Sequence, residues 1–498
     1  MTVATRGETA GPAPGDQRGH PRPVLADGFL FGVATAGFQI EGGFNGPGQP
    51  ANNWLAWEQV GRVEPSGDAV DFWARPDEAL DRAADLGCDS FRLGIEWARV
   101  LPDGGGVDRV ALERYGAIVD GCLDRGLTPL VTLHHFTHPA WLGEDFWLRP
   151  DAPARFAAYA RVVVGALAPS VRHWVTINEV NVLALMSYVL GAFPPGRTLG
   201  FADAAVALDN LLTAHVYGYD TIHAERRDAV VTTNTASVTV YEYDRMLVDL
   251  LLARSCGVDR ADIDDWVGER RRGHYALLPT PRTGEAVLRR ASTRLAPYGS
   301  SRRPTTPRRV LDALDASPHE RTLDVLGIDY YDPQAARHFR LPGHRTAGGR
   351  NRLPTRELWD DPPDPAGLAR WLGDQHALAP GLPLWVVENG MCNRLRDGRS
   401  WGRLDGWDRV RYVRENVAAV VAAVDAGVPV EGYWHWSLVD NYEWGSYEPR
   451  FGLHGVDRDR GGGVRWLETD AMGRDAAGEY RRVIAGLRAG DRSVLDPG

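Results

Sequence analysis

The chain alternates between two kinds of hydrophobic pattern. Short apolar, β-prone runs end in polar residues, and each is followed by a longer amphipathic segment rich in alanine and arginine. The runs are FLFGVATAG (29–37), SFRLGIEW (90–97), TPLVTLHHF (128–136), HWVTINE (173–179), VVTTNTASVT (230–239), LDVLGIDYY (323–331), PLWVVENG (383–390) and VEGYWHWSL (430–438). In ADLGCDSF, LDRGLTPL and VDAGVPVEGY a helical segment stops at glycine just before a strand begins, as C-cap chemistry expects. Eight such units without a second compositional regime predict an α/β fold: one (β/α)8 barrel over residues 28–488, with long βα loops at its C-terminal face. Residues 1–27, rich in Gly, Pro and Thr, are expected to form a disordered tail, and 489–498 a C-terminal tail. Two long connections, 240–322 and 332–380, both follow strands and so belong at the face where such barrels carry substrate loops.

Composition narrows the chemistry. A length of 498 residues would ordinarily suggest two or three domains, but α/β barrels with insertions exceed 400 residues as one unit. The net charge of −10 argues against nucleic acid or an anionic membrane as partner. All 56 basic residues are arginine, so no lysine Schiff base, pyridoxal-phosphate lysine or P-loop lysine can exist. Cys88, Cys122, Cys256 and Cys392 are far apart and form no CxxC pair, which fits neither a zinc site nor a disulfide framework and reads as a reducing cytoplasm. The N-terminal stretch lacks the apolar core of a signal peptide, and no run approaches the roughly 18 apolar residues that span a bilayer. The expected partner is a small molecule, with no cofactor and no metal implied; oligomeric state is left open.

Polar residues at the C-terminal tips of parallel barrel strands converge on one cavity. In chain order the tips offer Gln39 and Glu41, Arg92 and Glu96, His134 and His135, Asn178 and Glu179, Asp329 with Tyr331, Glu388 with Asn389, and Trp436, Asp440, Glu443 and Trp444. A lone Asn or Glu at a strand tip is as often a solvent-facing turn. Alone, His135 would more often be a core histidine and Arg92 a salt-bridge partner. So many tips carrying amide, carboxylate, imidazole and indole groups together fit a sugar site better. Glycosidic cleavage needs two carboxyl groups flanking the bond, and Glu179 and Glu388 each end an apolar strand beside an asparagine. His134 is expected to point away from His135 and to be structural, and Trp434 to face the opposite way from Trp436.

FLFGVATAGFQIEGG, SFRLGIEWARVLP, PLVTLHHFTHPAWL, WVTINEV, PLWVVENG and GYWHWSLVDNYEWGSYEPRFGL, in this order from about Phe29 to Asp457, resemble the signature blocks of family 1 glycoside hydrolases of the β-glucosidase type. The resemblance implies a retaining mechanism with Glu179 as general acid/base and Glu388 as nucleophile, the latter kept ionised by Arg92 and Tyr331. It implies that Asn178 binds the sugar 2-hydroxyl, and that Gln39, His135, Trp436, Glu443 and Trp444 bind the rest of the sugar. Val180 stands where the family generally has proline, Asp329 where asparagine is common, and the segment between Glu443 and Phe451 is one residue shorter than usual. The serine-and-lysine pattern of phospho-glycosidases is absent, which favours an unphosphorylated sugar. A transglycosidase, passing the same glycosyl group to an acceptor hydroxyl, and a catalytically silent sugar-binding barrel are the alternatives. Arg337, His338, Arg340, His344, Arg345, Arg350 and Arg352 sit where an aglycone would bind. They suit either an anionic aglycone or, the favoured account, surface pairing with Glu357, Asp360 and Asp361.

Overall fold

A computed structural model describes residues 24–237, 240–277, 307–331, 363–396, 399–403, 405–458 and 463–496. Residues 1–23 of the expected tail, and the whole arginine- and histidine-bearing loop from 337 to 361, lie outside the described residues. Nine strands form one parallel sheet: β1 (Leu30–Ala34), β2 (Ser90–Gly94), β3 (Thr128–Thr132), β4 (His173–Val175), β5 (Val230–Thr232), β6 (Asn234–Ala236), β7 (Leu326–Asp329), β8 (Leu384–Asn389) and β9 (Val430–Trp436). Their order is β5-β4-β3-β2-β1-β9-β8-β7-β6. Only Thr233 separates β5 from β6, so the two edges of the sheet meet in one interrupted stave. The result is the expected eight-stave barrel.

Helices fill the crossovers: α1 (Pro76–Asp85), α2 (Arg109–Asp124), α3 (Ala152–Leu167), α4 (Phe201–Glu225), α5 (Arg245–Leu252), α6 (Ile263–Leu277), α7 (Arg309–Ala316), α8 (Pro365–Leu378), α9 (Arg409–Asp425) and α10 (Ala476–Arg488). Their ends follow local chemistry. Asp108, Asp364, Asp408 and Asp475 each accept a backbone N–H from the first turn. The predicted glycine stops at the ends of α1, α2 and α9 are Gly87, Gly126 and Gly427, all at positive φ. None of the described helices is long and apolar enough to cross a membrane. All four cysteines are free thiols, and all but Cys256 are buried.

The main core lies between the sheet and the helices, and a smaller cluster that includes Ala34, Leu130, Val175, Trp385, Val387, Trp434 and Trp436 fills the barrel interior. One expectation is corrected here. Trp434 is two residues before Trp436, and residues two apart on a strand share a face, so both indoles point inward. Trp434 is still core, with its indole N–H donated to Ser90 Oγ at 3.0 Å.

Each predicted strand also ends earlier than its apolar run, and the polar residues beyond it sit on the first turn of the βα loop. Those turns are held tightly. The Tyr159 hydroxyl from α3 contacts the carbonyls of Ile95 (2.8 Å) and Leu133 (2.9 Å), fixing the chain just past β2 and β3. At Gly390, just past β8, a Cβ would lie 1.8 Å from the Trp436 carbonyl oxygen. Gly390→Ala must therefore push the ends of β8 and β9 apart. Thermal melts and an aryl-glycoside assay are expected to register a loss of about 1–3 kcal/mol in stability and a drop in activity, because Glu388 and Trp436 move with those ends.

Candidate active site

The C-terminal mouth of the barrel gathers Gln39, Arg92, His135, Asn178, Glu179, Tyr331, Glu388, Trp436, Glu443 and Trp444, the whole expected set. Register explains part of this convergence. Asp329 on β7 is the partner of Glu388 on β8, after an irregularity that skips Val387. Val387 faces the barrel interior, and plain alternation would turn Glu388 toward the helices. The irregularity lets it face the mouth instead.

A similar break lies past β4. Asn178 and Glu179 are adjacent, yet both side chains enter the site. Glu179 sits in the left-handed region (φ 37°, ψ 61°), where the chain turns from strand to the short helix Val180–Ala184. Phe136 (φ 68°) and Trp444 (φ 44°) border the site in the same conformation. A bulky side chain there costs roughly 1–3 kcal/mol, offset by the packing and hydrogen bonds around it.

The polar groups form one network. Arg92, fully buried, donates to Glu388 Oε1, to Asn178 Oδ1 (2.5 Å) and to Thr132 Oγ1 (3.0 Å). The Tyr331 hydroxyl donates to Glu388 Oε2 at 2.6 Å, so both oxygens of this carboxylate are held. Asn178 Nδ2 lies 3.1 Å from His135 Nε2 and 3.5 Å from Glu179 Oε2. Burial holds the His135 imidazole far below its usual range, with Arg92 adding to the effect, so the ring is neutral. It lies nearly parallel to Trp436 and Trp444, with ring centroids 5.9 and 5.5 Å apart. Gln39 Nε2 donates to Glu443 Oε2 (3.0 Å) and Asn441 Oδ1 (3.1 Å).

Glu179 meets a different environment from Glu388. Burial, and next the charge of Glu388, push its carboxyl well above the usual carboxylate range. Glu443 is pushed up to about 8 by burial, with the Glu388 charge adding to it. Glu179, Asp329 and Glu388 each offer an oxygen within 4.8 Å of the others. A divalent cation would suit that spacing alone, but a guanidinium and a phenol already occupy the oxygens of Glu388, and Asn234 Nδ2 donates to Asp329. With a cation already built in, the donor set fits shared protons better than a metal.

Several residues from the strand tips sit outside this network. Glu96 accepts the Phe38 N–H (2.8 Å) and the Thr137 hydroxyl (2.7 Å), and burial pushes it up to about 8. Glu41 pairs with Arg99 (2.6 Å) and Tyr115 (2.8 Å). Together they brace the loop that carries Gln39. Asn389 is tied to the Tyr330 carbonyl and to the Tyr412 and Tyr433 hydroxyls. Asp440 accepts the Gly452 N–H, and His134 packs edge-on against Trp147. Asn234, by contrast, was not singled out from the sequence. It bridges Asn178 Oδ1 (2.7 Å) and Asp329. Its position in the interrupted fifth stave, two residues after the buried Thr232, was the available signal.

Two facing carboxyls with different surroundings, at the mouth of a barrel and beside an indole, belong to an enzyme class that cleaves glycosidic bonds. Comparison with known proteins supplies the family. The model for glycosyl hydrolase family 1 matches residues 22–472, and the chain belongs to that family. It is a glycoside hydrolase of the β-glucosidase type. A bifunctional β-D-glucosidase/β-D-fucosidase of Bifidobacterium breve is 30% identical over 499 residues, covering 93% of this chain and 98% of that one. A 6-phospho-β-galactosidase of Clostridium acetobutylicum is 28% identical over 465 residues, covering 87% and 93%. The fold matches that of a β-glucosidase from Thermotoga maritima solved with noeuromycin, with a TM-score of 0.68 at 24% identity, covering 93% of this chain and 99% of that one.

Proposed function

We propose that this chain hydrolyses a terminal β-linked, unphosphorylated sugar with retention, using Glu388 as nucleophile and Glu179 as general acid/base. The observation that carries the reading is the asymmetry of the two carboxyls. Glu388 has both oxygens fixed by Arg92 and Tyr331, which aims it as a nucleophile, while Glu179 is an acid that keeps its proton. One oxygen of each lies within 4.8 Å of the other, an approach that suits the roughly 5–5.5 Å carboxyl separation of retaining enzymes better than the wider gap of inverting ones.

In the first step Glu388 attacks the anomeric carbon while Glu179 gives its proton to the departing oxygen. In the second, water attacks that carbon, Glu179 takes the proton of the water, and the bond to Glu388 breaks. Asn178, anchored by Arg92, is positioned to hold the 2-hydroxyl. Gln39, His135, Trp436, Glu443 and Trp444 receive the other hydroxyls and the C–H face of the ring.

The preference for an unphosphorylated sugar rests on Glu443, a carboxyl that offers a phosphate no cationic partner, and on the absence of lysine from the chain. The Clostridium relative makes this a point to test directly. A panel of 4-nitrophenyl β-glycosides, including glucoside, galactoside, fucoside and 6-phosphogalactoside, should be turned over only in its unphosphorylated members. Proton NMR of the first product should show the β anomer. An α anomer as first product would overturn retention, and preference for the phosphorylated substrate would overturn the sugar class.

A further inference from the structure

The reaction as written leaves Asp329 without a task. It is fully buried beside Glu388. One of its oxygens takes the Asn234 amide, while Oδ1 meets no hydrogen-bond donor. The carboxyl offers an oxygen within 4.8 Å of one from Glu179. Two buried carboxyls this close cannot both ionise, because like charges at this range are not screened by water.

The surrounding charges relieve the pair only in part, through the Arg92 guanidinium. From β2, Arg92 is bonded to Glu388 and Asn178 rather than to either member. Glu388 from β8 adds negative charge, and Glu443 from the loop after β9, itself pushed up to about 8, adds more to Glu179 once it ionises. Past β7, Tyr331 donates to Glu388, and past β3, His135 is a neutral imidazole.

We propose that Asp329 and Glu179 share one proton, which makes Asp329 a positioning residue that keeps the acid/base in its donating form. The proposal rests on Glu179 being the acid/base. When the pair gives its proton to the leaving oxygen, it becomes two adjacent carboxylates. The attacking water of the second step then returns a proton to the pair as its oxygen bonds to the anomeric carbon and the bond to Glu388 breaks. An asparagine at 329 could not share the proton: it would stabilise the ionised Glu179 and weaken it as a base.

The test is the pH profile of kcat/KM on the aryl β-glycoside turned over fastest. Asp329→Asn can still accept the Asn234 amide, so folding should be retained, and this is checked by thermal melting. The alkaline limb should move down by about one pH unit or more, because removing the neighbouring negative charge lets Glu179 ionise earlier. Infrared difference spectra give a second readout that needs no turnover. A protonated-carboxyl band present above neutral pH in the parent protein should be lost at that pH in D329N.

An unmoved limb with an unmoved band would overturn the proposal, as would a loss confined to KM, which would make Asp329 a sugar contact only. Adding Asp329→Asn to Glu179→Gln separates the two readings. If Glu179 is the acid/base, E179Q alone removes the alkaline limb and the second substitution changes nothing further. If E179Q keeps the limb, the assignment of Glu179 itself falls.

Discussion

Truncating Glu388 to alanine is expected to reduce turnover of aryl β-glycosides by on the order of 10^5–10^6-fold, with the protein still folded. No neighbour can substitute for it. Burial pushes the carboxyls of Asp329 and Glu179 well above their usual range, and it does the same to the Tyr331 phenol. The truncation would leave a small space faced by Arg92 and Tyr331, two donors suited to an anion. Added azide should enter it, attack from the same face as the lost carboxylate and restore measurable turnover. The product should be the α-glycosyl azide, because a single displacement inverts a β-glycoside. Turnover within tenfold of the parent protein, or a β-configured azide product, would exclude Glu388 as nucleophile.

The second large effect depends on the leaving group. Glu179→Ala is expected to lower kcat/KM by roughly 10^3–10^4-fold for alkyl glycosides, whose departing oxygen needs a proton. Dinitrophenyl glycosides leave as stable anions and should lose less than tenfold in that parameter. Their kcat should still fall, since the second step lacks its base, and KM should fall with it as the glycosyl-enzyme accumulates. Azide should here give the β-glycosyl azide, by attack on that intermediate from the opposite face. Equal losses on both substrate types would remove Glu179 from the acid role.

The architecture was legible in the sequence because eight apolar runs alternate with amphipathic segments and glycine punctuates several junctions. The runs overestimated strand length because strand and first loop turn are both apolar in this chain. HWVTINE reads as one run, yet β4 stops at Val175. The site residues could be collected from the strand tips, but not how they come to face one another. Alternation would send Asn178 and Glu179 to opposite faces and turn Glu388 outward. A left-handed residue and a skipped register position overcome both, and neither leaves a compositional trace. Trp434 is the opposite case, where the period-two rule applied strictly gives the observed inward face. Asn234 was hidden because it looks like any polar residue in a threonine-rich strand.

Val180, set apart from the family pattern at the sequence level, is buried at the first position of the helix that begins after Glu179. The geometry of Glu179 is thus achieved without the ring constraint of a proline, by packing around the turn.

Among the described residues, Arg92 is the guanidinium bonded into the carboxyls of the site, and this has a wider consequence. Arg92 is one positive charge set against Glu179, Asp329, Glu388 and Glu443, and with one proton shared by Glu179 and Asp329 the balance is negative. These groups are fixed before any substrate arrives and lie in a region largely closed to water. A sugar ring that gains positive character as its glycosidic bond breaks therefore enters a field already oriented to favour it, with no solvent dipoles left to rearrange. The mouth of the barrel acts as a standing potential well for a cation that exists only at the top of the reaction barrier.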